Sequence, residues 1–336
     1  MVAASDPGPA PGRLNLITDV PGLRVGHATD ERAGTGVTTL LGPEPLMAAV
    51  DVRGGAPGVR ETDTLAPEAL VGHVHAIVLA GGSVFGLAAA DGVATALSAQ
   101  GVGLRLKAHT RAIPIVPAAV LHDLGGPGDK DWSEPPYRRL GTEALAHAAT
   151  GFALGAVGAG RGARAGHVAG GIGSASIDLG GGLIVGALVA VNSIGSVRMA
   201  DGRTFWAWPF ELGGEFGGAR PGALAPASDP APADSRLAEL SALEAGTSTV
   251  IGIVATSATL ARADCRRIAV MAHDGIARAV RPAHTPFDGD VVFAVATGTV
   301  AAGTERTHAG EVARIGSAAA DCLARAIARG VHEAAR

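Results

Sequence analysis

Five apolar runs of strand length punctuate the sequence, at 47–52, 76–80, 183–192, 250–255 and 291–296. Each is bounded by Gly, Asp or Asn and is short enough to be one buried strand. Helical patterns fall between and after them, most clearly at 260–279 and 312–331. In the second, Val312, Ile315, Ala319, Cys322, Ile327 and Val331 recur at near-helical spacing, while Arg314, Arg325 and Arg329 lie off that stripe. The last ninety or so positions therefore read strand, helix, strand, helix, which predicts a layered α/β or α+β sandwich.

Composition sharpens that expectation. Hydrophobic residues make up 47% of the chain, aromatics only 3%, and there are 50 glycines, so the layers must bring backbones close together. The net charge of -4, without a dense Lys/Arg run or stacking aromatics, excludes a nucleic-acid partner and points to a small molecule. Every long apolar run is broken by Gly or a charge within about 18 residues, the length a bilayer span needs, so no membrane partner is expected. Cys265 and Cys322 sit inside the two amphipathic patterns and read as small buried hydrophobes, which fits a reducing cytoplasm. The first 13 residues lack a basic region followed by an apolar one and are expected to be a disordered tail. Residues 14–336 are expected to form one catalytic domain.

Residues 217–234 carry four prolines and no hydrophobic period, predicting a flexible linker that reaches to about 240. It delivers the chain to Thr247, Ser248 and Thr249, three hydroxyls at the mouth of the strand beginning near Val250. A hydroxyl there can attack the carbonyl before it. Cleavage would then leave a new N-terminus that carries both nucleophile and amine base, and this reading alone leaves any of the three as the attacker.

Other candidates are weighed against simpler readings. Gly158-Ala-Gly160 with Ala163 superficially fits a dinucleotide fingerprint, but no strand precedes it and glycine is too dense after it for a helix, so a close-backbone loop is expected. Ser83 lies at a strand-to-helix turn; Phe85 stands where a nucleophile elbow needs glycine, and an N-cap is the expected role. His73 and His75 alternate without ligand spacing, and neither a metal nor a cofactor is expected. Asp288 and Asp290, in Thr285-Pro-Phe-Asp-Gly-Asp290, read equally as a turn or as two carboxylates sharing one sheet edge. Asn192 ends an apolar run and is either a strand terminus or an N–H donor to an oxyanion. Tyr137, the single tyrosine, lies in a predicted loop and by itself reads as a packing residue with a wet hydroxyl.

Several segments carry a family resemblance when taken in order. They are Asn15-Leu-Ile-Thr-Asp-Val-Pro-Gly-Leu-Arg-Val-Gly-His27, Gly54-Gly-Ala-Pro-Gly58 with Glu61-Thr-Asp63, Val78-Leu-Ala-Gly-Gly-Ser-Val-Phe-Gly-Leu87, and Pro114-Ile-Val-Pro-Ala-Ala119. Val157-Gly-Ala-Gly160, Ala187-Leu-Val-Ala-Val-Asn-Ser-Ile-Gly195, Ile253-Val-Ala-Thr256 and Met271-Ala-His-Asp-Gly-Ile-Ala-Arg-Ala279 follow, before the Thr285 to Asp290 segment. The chain resembles the DmpA-type aminopeptidases, self-processing hydrolases that include L-aminopeptidase/D-esterases, β-peptidyl aminopeptidases and the nylon-oligomer hydrolase NylC.

That resemblance implies a four-layer αββα sandwich, N-terminal-nucleophile-like, cut between Ser248 and Thr249 into an α chain of 1–248 and a β chain of 249–336. It implies Thr249 as nucleophile, Asn192 and Tyr137 as oxyanion partners, and Asp288 and Asp290 as acids near the new amine. The implied substrate is a small peptide, a D- or β-amino-acid amide or ester, or an ω-amino oligoamide, with a free amine. A homotetramer or larger assembly is implied as well. Two departures stand out: Ser248 precedes the cut where many relatives have Asn or Gly, and Ala169 takes a position where a lysine is expected. They motivate the alternative of a processing-deficient binding or scaffold relative; an acyltransferase passing its acyl group to an amine is the other.

Overall fold

In the computed structural model the described residues are 10–107, 110–222, 230–239, 248–304 and 306–336. The strands are β1 (Arg24–Asp30), β2 (Thr35–Val52), β3 (Val59–Arg60), β4 (His73–Ala80), β5 (Ala118–Val120), β6 (Arg164–Ala165), β7 (Val168–Ala169), β8 (Gly171–Asp178), β9 (Ile184–Asn192), β10 (Thr249–Thr259) and β11 (Val291–Ala301). The helices are α1 (Ala89–Ala99), α2 (Tyr137–Ala146), α3 (Arg262–Ala279) and α4 (His308–Ala334). All five apolar runs are strands, and both helical patterns are helices.

The strands form one mixed sheet in the order β3-β5-β4-β2-β11-β10-β9-β8, with β1 added beside β2; β6 and β7 make a separate hairpin. Strand β2 joins two halves of this sheet. Its early residues pair with β1 and β4, as in Val37 opposite Ala80, and its late residues pair with β11, as in Val52 opposite Val291. A register shift between Leu41 and Leu46 bends it between the two.

Alternation along each strand separates the cores. Ile77 and Leu79 of β4 face inward with Ile251 and Ile253 of β10 and Phe293 of β11, forming the layer between the sheet halves. Ala76, Val78 and Ala80 point the other way, onto Val93 and Leu97 of α1 and Leu140 and Ala144 of α2. On the opposite outer face, Val250 and Val254 of β10 meet Ile268 and Ile276 of α3 and Ile315, Leu323 and Ile327 of α4. The result is the expected αββα sandwich. Burying each Ile, Leu or Phe of these layers contributes about 1.5–3 kcal/mol.

Glycine allows the close approach expected from composition. A side chain on Gly330 of α4 would sit 2.9 Å from the backbone nitrogen of Gly173 in β8. That helix is also pinned electrostatically. Arg325, fully buried, donates to Glu215 at 2.5 and 2.9 Å, to Asn15 Oδ1 at 2.9 Å and to the Ser176 carbonyl at 2.9 Å.

Part of the segment expected to be an amino-terminal tail is described. Ala10 bridges Asp178, and Gly12 donates to Ser176 Oγ at 3.1 Å; residues 1–9 lie outside the described part. Of the linker, residues 217–222 and 230–239 are described. Glu211 accepts the Gly218 amide at 2.8 Å and Arg236–Glu239 form a 3-10 turn, while 223–229 and 240–247, Thr247 included, lie outside it. Among the described residues no helix is long and apolar enough to cross a membrane.

Candidate active site

Thr249 opens β10 at a three-way junction. Across the antiparallel ladder it is paired with Asn192, the last residue of β9, and directly opposed side chains share one face of a sheet. On the other side Ser248 forms a parallel bridge with Asp288, just before β11 begins. The hydroxyl of Thr249 is buried, and among the described residues it has no hydrogen-bond partner. Such an atom normally carries a desolvation cost of about 1–3 kcal/mol, which makes its isolation notable.

The turn leading into β11 presents one donor to the neighbouring carbonyl. Asp288 Oδ2 accepts the Thr285 amide at 2.9 Å and its hydroxyl at 2.7 Å, closing the turn on itself. The turn is seated on the segment after β2: Ala56 donates to the Asp288 carbonyl and Arg53 to the Asp290 carbonyl, both at 2.9 Å. A side chain on Gly289 would lie 2.7 Å from the Ala56 carbonyl, so glycine is required there. Held in this way, the Gly289 amide donates to the Ser248 carbonyl at 2.9 Å.

Both carboxylates of the turn are buried. Asp290 accepts the Val250 amide at 2.7 Å through Oδ1, and through Oδ2 the ring Nδ1 of His284 at 2.7 Å and the His284 amide at 3.1 Å. It therefore clamps the start of β10 to the turn. Burial raises the pKa of Asp288 to about 6, and the charge of Asp290 adds to the rise. His284 adopts a left-handed backbone with φ of 55°, and its ring meets His273 edge-on at 5.0 Å. Burial lowers His273 to about 4, so that ring is neutral near pH 7.

Of the residues singled out in the sequence, Ser248, Thr249, Asn192, Asp288 and Asp290 meet at this junction. Asn192 Oδ1 accepts the Arg164 amide at 2.9 Å, and its Nδ2 donates to the His122 carbonyl at 3.2 Å. Tyr137 differs from the expectation. It is the first residue of α2 rather than a loop residue, and it is fully buried rather than solvated. Its hydroxyl donates to Thr35 Oγ1 at 3.3 Å, and Thr35 donates to Asp123 Oδ2 at 2.5 Å. Burial raises both the phenol and the Asp123 carboxyl. Asp123 Oδ1 accepts the Gly82 amide at 2.7 Å, and His122 beside it is the residue that receives the Asn192 amide.

Several further groups have no motif of their own in the sequence. These are the Gly289 amide, His284, Thr35, Asp123 and Arg236, whose Nη2 donates to Ser248 Oγ at 3.0 Å. Gly289 and His284 had a sequence signal, the one inside the Thr285 to Asp290 segment and the other beside it.

The remaining candidates settle as structural features. Ser83 follows the N-cap, which is Gly82, and caps nothing with its side chain; its φ of 53° marks the turn. Gly158–Gly160 is a 3-10 turn without a following helix, where a side chain on Gly158 would meet Thr38 Oγ1 at 2.5 Å. His75 Nδ1 accepts the Ile115 amide at 3.0 Å. Both thiols are buried, which pushes each up to about 12. Ala169 lies opposite Arg164 in the β6–β7 hairpin. A cavity of about 580 Å³ lined by Asp30, Trp132 and Arg139 opens beside the start of α2, and Thr249 is not among its lining residues.

The four-layer arrangement is that of the Ntn-hydrolase fold, and the family match makes the chain a hydrolase of amide bonds. The chain belongs to peptidase family S58, whose profile matches residues 15–336. It is 46% identical over 336 residues to an uncharacterized aminopeptidase of Mycobacterium tuberculosis, with 96% of this chain and 94% of the relative covered. It is 30% identical over 293 residues to the 6-aminohexanoate-oligomer endohydrolase of a Kocuria species, covering 85% and 76%. Among solved structures, a Burkholderia beta-aminopeptidase superposes with a TM-score of 0.68 at 26% identity, covering 96% of this chain and 87% of that one. The L-aminopeptidase D-Ala-esterase/amidase of Ochrobactrum anthropi, described as a variant of the Ntn-hydrolase fold, matches with a TM-score of 0.68 at 21% identity and covers 96% and 86%.

Proposed function

We propose that this chain cuts itself between Ser248 and Thr249 and then works as an N-terminal-threonine aminopeptidase or amidase. The observation that carries the reading is the Thr249 hydroxyl, buried and without a described partner, beside a Ser248 carbonyl that already accepts the Gly289 amide.

In the first stage Thr249 Oγ attacks the Ser248 carbonyl carbon. The Gly289 N–H stabilises the oxyanion that forms, with Asn192 opposite as the second donor. Collapse breaks the C–N bond, the proton from Oγ passing to the nitrogen, and leaves a free Thr249 amine with the Ser248 acyl group as an ester on Oγ; water then hydrolyses that ester to the Ser248 carboxylate and the Thr249 hydroxyl. An α-amine with an ordinary pKa of about 7.7–8.0 then serves as base for its own hydroxyl. Asp290, fixed by Val250 and His284, and Asp288, beside Ser248, supply the negative charge that holds this amine and the substrate's ammonium group. Tyr137 already gives its proton to Thr35, so in this arrangement it supports the site through Thr35 and Asp123.

The substrates that fit are small amides with a free amine: short peptides, D- or β-amino-acid amides and esters, or ω-amino oligoamides of the kind named for the endohydrolase relatives. Exposed Leu70, Val84, Phe85 and Leu106 supply apolar surface consistent with a homo-oligomer, to be weighed by light scattering.

Denaturing electrophoresis of the purified protein, with N-terminal sequencing of the small fragment, tests the reading. Two bands are expected, the smaller beginning at Thr249, and Thr249→Ala is expected to stay whole. A wild type that hydrolyses amides as one uncut band would overturn the mechanism, and a Thr249→Ala chain that still splits at that bond would overturn the assignment.

A further inference from the structure

Arg236 lies beside the residue that precedes the Ser248–Thr249 bond. Its amide donates to the Ile194 carbonyl at 2.9 Å and its Nη2 to the Ser193 carbonyl at 3.1 Å, so both ends of the residue are tied to the segment after β9. The same nitrogen donates to Ser248 Oγ at 3.0 Å. The contact is to the side chain of the residue whose carbonyl the Gly289 amide holds. Ser248 is thus gripped at two points, carbonyl and hydroxyl, and only one of them involves the bond itself.

We infer that Arg236 is the group that reads the side chain on the acyl side of the bond Thr249 attacks, first that of Ser248 and, after the cut, that of the substrate. The inference rests on the self-cleavage reading above. If one nucleophile attacks both carbonyls, the substrate's acyl residue must place its carbonyl where that of Ser248 lies, and its side chain then falls where Ser248 Oγ lies. A guanidinium has five donors and no acceptor, so it favours an acyl residue with a hydroxyl or carboxylate and gains nothing from an alkyl one. Arg236 is anchored through carbonyls of 193 and 194, which belong to the β9 side of the site and do not depend on Ser248 remaining there. This arrangement also gives a reason for serine before the cut: its hydroxyl accepts from the guanidinium. Arg236 is accordingly a positioning residue for self-cleavage and a specificity residue for hydrolysis.

Two measurements test this on the full chain. The first is the rate at which freshly synthesised chain splits, for wild type, Arg236→Ala, Ser248→Ala and the double variant. Arg236→Ala is expected to slow splitting roughly tenfold or more, the worth of one hydrogen bond from a charged donor, with Arg236→Lys recovering part of the rate. In the Ser248→Ala background the same substitution is expected to have little further effect. Equal slowing in both backgrounds would overturn the link to the Ser248 side chain and leave Arg236 as a packing residue.

The second uses cut enzyme and a pair of p-nitroanilides, of serine and of alanine. Wild type is expected to prefer the seryl compound in kcat/KM, and Arg236→Ala is expected to remove that preference, mainly through KM. If Arg236→Ala lowers both substrates alike, the specificity role fails. A wild type that never splits fails at an earlier point and removes the self-cleavage reading, with this inference behind it.

Discussion

The Gly289 amide points at the Ser248 carbonyl from 2.9 Å, and the absence of a side chain at 289 is what lets it do so. An added methyl would lie 2.7 Å from the Ala56 carbonyl and 3.3 Å from Thr249 Oγ1. Gly289→Ala is therefore expected to push the turn away from the bond and slow splitting by about 10²-fold or more, the usual effect of losing one oxyanion donor. A time course on denaturing gels measures it; splitting at the wild-type rate would remove this amide from the mechanism.

Asp288 sets a pH dependence with two opposite signs. With its pKa near 6 it is ionised mainly above that pH, so hydrolysis that needs its charge is expected to rise as pH increases through about 6. Stability runs the other way. The folded value lies above the unfolded carboxylate value of about 3.9, so the stabilising contribution is complete below that value and is lost as pH rises through about 6. Asp288→Asn is expected to flatten both the rate profile and the Tm profile across that window. An unchanged acid limb in the variant would assign the limb to another group.

Arg325 ties α4 to segments far from it in sequence. Truncating one member of a buried charge pair leaves the other unpaired, at a cost of about 3–5 kcal/mol. Arg325→Met is expected to show part of that loss in urea unfolding, since it removes both Arg325 hydrogen bonds to Glu215 and leaves the carboxylate with Asn15 Nδ2 at 2.5 Å and Arg329 at 3.6 Å. The double variant with Glu215→Leu is expected to recover much of it, and a double variant as unstable as the single would mean that packing, not charge, holds the helix.

Tyr137 separates support from catalysis. Tyr137→Phe removes the donor to Thr35, and a net loss of about 1 kcal/mol in stability is expected. The splitting rate is expected to stay within threefold of wild type. A hundredfold fall without a matching loss of stability would give the hydroxyl a direct part in holding the oxyanion.

Much of the architecture was legible because the relevant signals are local. The runs at 76–80 and 250–255 are short and bounded by strand-ending residues, and they emerged as parts of β4 and β10. The stripe from Val312 to Val331 lies within α4, which extends to both sides of it. Strand β2 was only partly legible. Its last six residues form an apolar run, but Thr35, Gly42, Pro43 and Glu44 break the pattern, and the pairing with β1 and β4 that makes the rest a strand is not a local property. Tyr137 was misplaced for the same reason, since the two prolines before it suggest a loop until packing under α1 makes it the first residue of a helix.

By itself the sequence determined the layered class, the ends of the central strands, and the proximity along the chain of Ser248 to Thr249 and of Asp288 to Asp290. Periodicity and short-range sterics are enough for these. Tertiary structure alone decided that Asn192 lies opposite Thr249, that the Gly289 amide reaches Ser248, that His284 braces Asp290 and that Arg236 touches Ser248. Each of these depends on strand register or on a turn held by a distant segment. The physical reason is that a hydrogen bond needs its donor placed to within a few tenths of an ångström, and only the closed, packed sheet supplies that placement.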